Sequence, residues 1–166
     1  MKNPKLIRNS VFVDNRGTFA PLSVNTLDQK WTQSNISVNP NKYTLRGLHY
    51  QYGERTQAKL IKVIDGKILD FIVDLREQSP DFNKIYFYLL EPGDELYVPI
   101  NFAHGFITLL DNTIVQYLVD NVYDKNSERC ILWSTIPEIE KQILFYDLGF
   151  TKEKLIISEK DLINNP

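Results

Sequence analysis

Only two histidines occur in the chain, His49 and His104, and each lies among residues capable of chemistry. His49 sits in Leu45-Arg46-Gly47-Leu48-His49-Tyr50-Gln51, and His104 in Pro99-Ile100-Asn101-Phe102-Ala103-His104-Gly105-Phe106. Imidazole titrates closest to neutral pH of the unperturbed side chains, so proton transfer is the chemistry such segments offer. A histidine on a strand can equally be a hydrogen-bonded core residue. Arg46 precedes His49 by three positions, a spacing that sends the two side chains to opposite faces of a regular strand. A bulge or turn at Gly47 would bring them together.

The segments that carry these residues read as strands. Short β-branched and aromatic runs cover 10–13, 35–38, 44–50, 59–64, 67–75, 84–90, 95–99, 105–110 and 113–119, about nine in all. Asp65-Gly66 is the strongest hairpin signal, with further turns at Glu91-Pro92-Gly93-Asp94 and Asp111-Asn112, so consecutive strands are expected to fold back antiparallel. Helix is expected only at 26–31 and for a turn or two over 137–144, ahead of a polar tail after Gly149. So many short strands predict an all-β sandwich or barrel of jelly-roll type with few short helices, an arrangement that disposes of exposed strand edges. The run Ile85-Tyr86-Phe87-Tyr88-Leu89 reads as a strand buried on both faces, suited to a dimer interface or a pocket wall.

At 166 residues, 43% hydrophobic and 24% charged, the chain fits one domain over 1–166. Its net charge of −2 and scattered basic residues argue against nucleic acid as a partner, so an anionic ligand must be met by a local pocket. Cys130 is the only cysteine, which excludes an internal disulfide. Followed by Ile131-Leu132-Trp133, it reads as a small buried hydrophobe rather than a nucleophile. No signal peptide or membrane-spanning apolar run is read, and a soluble cytoplasmic protein is the expectation.

The spacing Gly93, Pro99, His104 resembles the second histidine motif of the cupin superfamily, G-x5-P-x-G-x2-H, with Asn101 at the second glycine. Metal-binding cupins also carry a His-x-His pair and a Glu in their first motif, whereas His49 stands alone before Tyr50 and Gln51. Two histidines cannot assemble a three-histidine metal site, so the expectation is no metal and no cofactor. A tighter resemblance follows from five segments in order: Arg46 to Gln51, Lys59 to Val63, Val73-Asp74-Leu75-Arg76 with Ser79-Pro80, Pro99 to Phe106, and Ser158-Glu159-Lys160-Asp161. In these the chain resembles the dTDP-4-dehydrorhamnose 3,5-epimerases, small cupin jelly rolls that form homodimers and act on nucleotide-linked 4-keto sugars.

The resemblance implies roles. His49 is the base, oriented by Asp161 from the tail at 150–166, which closes over the site; Lys59 faces the enolate oxygen; Tyr117, 13 residues after His104, returns a proton from the opposite face. Arg16, Gln33, Asn35, Arg46, His104, Tyr123, Glu128 and Lys160 fall at substrate-holding positions. Arginine suits a diphosphate, since its fork of donors stays charged. The pattern departs at Pro21, which takes the place of an acid that holds the nucleotide and offers neither carboxylate nor N–H. The nucleotide, dTDP or GDP, therefore stays open, and with it a 4-keto-6-deoxyhexose or a GDP-linked 4-keto-heptose for capsule or lipopolysaccharide. A 3,4-ketoisomerase and a non-catalytic sugar-nucleotide-binding cupin are the alternatives. Neither of these needs an opposed base and acid.

Overall fold

Most of the β-branched runs are continuous apolar stretches rather than alternating ones, and the strands they form bury one or both faces, Ile68 to Asp74 and Phe102 to Thr108 throughout. The computed structural model describes residues 3–15, 17–21, 29–163 and 165. Its strands are β1 (Lys5–Arg8), β2 (Phe12–Asp14), β3 (Gly17–Phe19), β4 (Gln33–Asn39), β5 (Thr44–Gln51), β6 (Lys59–Asp65) and β7 (Ile68–Asp74). They continue as β8 (Ile85–Leu90), β9 (Asp94–Val98), β10 (Phe102–Thr108), β11 (Thr113–Val119), β12 (Glu128–Cys130) and β13 (Ile156–Ile157), with one α-helix, α1 (Pro137–Tyr146). The four strands not anticipated, β1, β3, β12 and β13, are two to four residues long, too short for a period-2 pattern to register. Of the helix expected at 26–31, residues 26–28 lie outside the described residues, and 29–31 are not helical.

Two sheets pack face to face, in the orders β1-β9-β6-β11-β4 and β12-β5-β10-β7-β8, with β13 added in parallel to the start of β5. The hairpin expected at Asp65-Gly66 does not form. β6 pairs with β9 and β11, and β7 with β8 and β10, so both edges of each strand are occupied and the turn carries the chain from one sheet to the other. Gly66 makes the crossing at φ +84°, where an added Cβ would lie 2.8 Å from Thr113 Cα. The turns at Glu91–Asp94 and Asp111-Asn112 likewise switch sheets. These sheet-to-sheet crossings make a jelly roll.

The interior between the sheets holds Ile61, Val63, Ile72, Leu96, Phe102, Phe106 and Val115. The outer face of the six-stranded sheet carries Leu45, Leu48, Phe71 and Ile107, covered by Trp133 and by Ile139 and Ile143 of α1. That helix starts with Pro137 in its first turn, next to Glu138 and Glu140, a favourable start for the backbone dipole. β8 is the edge of its sheet and half-buried along most of its length, less enclosed than its aromatic run suggests. No helix among the described residues is long and apolar enough to cross a membrane.

Candidate active site

His49 and His104 are directly opposite one another on β5 and β10. Between His104 and Phe106 the register slips by one residue, which is the bulge that Gly47 makes possible. As a result Leu45 and Leu48 both face α1, while Arg46 and His49 both face the interior cavity. Gly47 adopts φ +108°, and an added Cβ would lie 2.6 Å from the His104 carbonyl oxygen. Any larger residue collides with backbone there.

The cavity has a volume of about 810 Å³ and opens between the two sheets. His49 Nε2 is 2.6 Å from Asp161 Oδ1, while Asp161 Oδ2 accepts from the Gly47 N–H at 3.3 Å. Asp161 is 2% exposed although it belongs to the tail. The tail is stapled on both sides of it: β13 pairs with β5, and Asn165 exchanges backbone hydrogen bonds with Cys130 at 2.8 and 2.9 Å. Burial alone would push Asp161 up, but His49 and the Gly47 N–H outweigh it and hold the carboxyl below its ordinary value.

The second histidine has its own carboxylate. His104 Nε2 is 2.7 Å from Asp70 Oδ2 in a buried pair. Burial presses both groups toward their neutral forms, His104 downward and Asp70 upward. Asp70 Oδ1 has no hydrogen-bond partner among the described residues. Sequence reasoning missed Asp70. Its signal was there: an acid inside the apolar run Ile68-Leu69-Asp70-Phe71-Ile72-Val73 is costly to bury unless it is paired. Asn39 was missed too; it is fully buried and accepts from Arg46 Nε at 2.8 Å, aligning the guanidinium over the cavity.

Lys59 enters from β6 in the opposite sheet, with Nζ donating to the His49 carbonyl at 3.1 Å. Burial lowers it to about 8, against the pull of Asp70 and Glu128. Tyr117 on β11 also lines the cavity, and burial raises its hydroxyl. No hydrogen bond holds that hydroxyl among the described residues, which leaves it available to a ligand.

The other anticipated side chains gather around the same space. Gln33 donates to Asn35 at 2.6 Å on β4; Tyr123 donates to Glu128 at 3.0 Å; Lys160 approaches Glu128 at 3.6 Å. All five line the cavity. Arg16 lies outside the described residues. Pro21 is exposed. Among the described residues, the group that could gather on a metal ion is His49, Asp161 and Cys130, one donor atom of each lying within 4.8 Å of the others.

A histidine backed by a carboxylate on one sheet, facing a tyrosine and a lysine on the other, defines a cupin-type jelly roll equipped for proton transfer. The model of the dTDP-4-dehydrorhamnose 3,5-epimerase family matches residues 1–165. A dTDP-4-dehydrorhamnose 3,5-epimerase of Shigella flexneri is 34% identical over 165 residues, covering 92% of this chain and 84% of that protein. One from Neisseria gonorrhoeae is 38% identical over 138 residues, covering 78% of this chain but 42% of that protein. The crystal structure of the enzyme from Bacillus anthracis with TDP and pyrophosphate bound superposes with a TM-score of 0.82 at 36% identity, covering 97% of this chain and 92% of that one. The chain belongs to the dTDP-4-dehydrorhamnose 3,5-epimerase family.

Proposed function

We propose that the protein inverts C3, C5 or both in a dTDP-linked 4-keto sugar by proton transfer through its own side chains. The observation that carries this reading is the placement of His49 and Tyr117 on opposed sheets of one cavity. A sugar ring between them loses a proton to one side and regains one from the other, which inverts the stereocentre. With Asp161 accepting the Nε2 proton, His49 keeps its lone pair on Nδ1 for the substrate, and the carboxylate then stabilises the imidazolium that forms. Abstraction beside the ketone places negative charge on its oxygen, and the Lys59 ammonium is the cation to meet it. A ketoisomerase has no need of the acid across the ring, and a binding module has no need of a buried lysine.

Arg46 and Lys160, with Arg16, take the diphosphate, while Gln33, Asn35, His104, Tyr123 and Glu128 hold sugar and nucleoside. dTDP is favoured over GDP because the relatives' names and the TDP complex all carry thymidine, despite Pro21. A homodimer is supported by the β2–β3 hairpin, which presents Phe12 (58% exposed), Val13 and Phe19, and by the free edge of β4 with Ile36 and Val38 exposed. We place the enzyme in the cytoplasm, making sugar-nucleotide precursors for surface polysaccharide. The test is NMR of the product from a dTDP-linked 4-keto-6-deoxyhexose, with dTDP and GDP affinities measured side by side. Inverted ring couplings and preference for dTDP are expected. A 3-keto product or an unchanged ring refutes the epimerase reading, and preference for GDP refutes the nucleotide.

A further inference from the structure

Beside the proton-transfer set, the neighbours of His49 include a thiol. β12 runs antiparallel to β5 with Cys130 directly opposite His49, and the bridge from Cys130 to Asn165 brings the stapled tail, and so Asp161, to the same place. The outcome is three different donors, imidazole nitrogen, thiol sulfur and carboxylate oxygen, mutually within 4.8 Å. Cys130 is 6% exposed, and among the described residues its thiol makes a long 3.8 Å contact to the Ile131 carbonyl. His49 is about a quarter exposed to the cavity and gives a path inward.

We propose that His49, Cys130 and Asp161 form an inhibitory binding site for a soft or borderline divalent cation of the zinc type. One nitrogen, one sulfur and one oxygen ligand suit such a cation, and the cavity leaves a fourth position for water. Thiolate and carboxylate together carry two negative charges, which balance a dication in a buried site. As the metal–sulfur bond forms, the Cys130 proton leaves to solvent; Asp161 and the imidazole stay at their resting charges. The cation takes Nε2, the nitrogen that faces Asp161, and displaces the proton that Nε2 donates to that carboxylate; in the neutral ring the proton then sits on Nδ1, where it occupies the lone pair that abstracts the substrate proton, and catalysis stops. Cation binding and proton abstraction are mutually exclusive at one histidine.

The inhibition rests on His49 being the base; the binding does not. The experiment titrates the full-length protein with Cd2+, reading the thiolate–metal charge-transfer absorption, and in parallel follows Zn2+ against substrate deuterium exchange, for wild type, Cys130→Ala and Cys130→Ser. The expected result is a one-equivalent absorption band in wild type alone, with exchange lost on Zn2+ addition and regained with chelator. Both variants should keep metal-free exchange and need on the order of tenfold or more Zn2+, since even groups supporting a ligand contribute that much affinity. No band in wild type, or equal Zn2+ sensitivity in all three proteins, overturns the site. A full band with undiminished exchange refutes the inhibition and counts against His49 as base.

Discussion

At the residue scale the site holds groups moved from their solution behaviour: burial takes Lys59 and His104 down and Asp70 and Tyr117 up, while His49 and the Gly47 N–H hold Asp161 down against burial. Lys59 is lowered to about 8, so its ammonium is lost as pH rises through that value. kcat/KM should therefore fall on the alkaline side near pH 8, and Lys59→Arg, charged throughout, should lose that limb along with much of its rate. A pH profile of both proteins measures this. Asp161→Asn keeps an acceptor for Nε2 but removes the charge that stabilises imidazolium; kcat should drop roughly 10²–10⁴-fold with little change in KM, as seen in steady-state kinetics. Residue types made His49, Lys59 and Tyr117 legible from sequence through their resemblance to a family. Asp70 was not, because its partner His104 is 34 residues away and only strand pairing brings them together.

At the element scale the decisive feature is the bulge in β5, which turns an odd spacing into a shared face. Gly47→Ala should cost about 1–3 kcal/mol by forcing backbone into backbone, and should also separate His49 from Asp161. Thermal denaturation together with exchange kinetics checks both effects; an unchanged melting temperature with full activity would show that the bulge tolerates a side chain. The long strands were readable because they are β-branched and aromatic runs bounded by turn residues. The pairing was not, since a turn such as Asp65-Gly66 looks the same whether it closes a hairpin or crosses a sandwich; what decides is whether the strand edges are already occupied. By composition the tail at 150–166 reads only as polar, and its closure over the site comes from the family resemblance; pairing with β5 and Cys130 is what buries Asp161.

At the scale of the whole molecule two sheets serve as two jaws, one bringing His49 and the other Tyr117 and Lys59 to the same cavity. The exposed apolar β2–β3 hairpin and the edge strand β4 suit association of two copies, so the protein should sediment as a dimer and Phe12→Glu with Phe19→Glu should shift it toward monomer. Sedimentation velocity of both proteins decides this, and a wild-type monomer would contradict it. In the proposed reaction His49 takes a carbon-bound proton from the sugar. The direct test is mass spectrometry of a dTDP-linked 4-keto sugar incubated in D2O with wild type and with His49→Asn. Wild type should gain one deuterium for each inverted carbon, and the variant should do so roughly 10²–10⁴-fold more slowly. Absence of exchange in wild type, or undiminished exchange in His49→Asn, would contradict it.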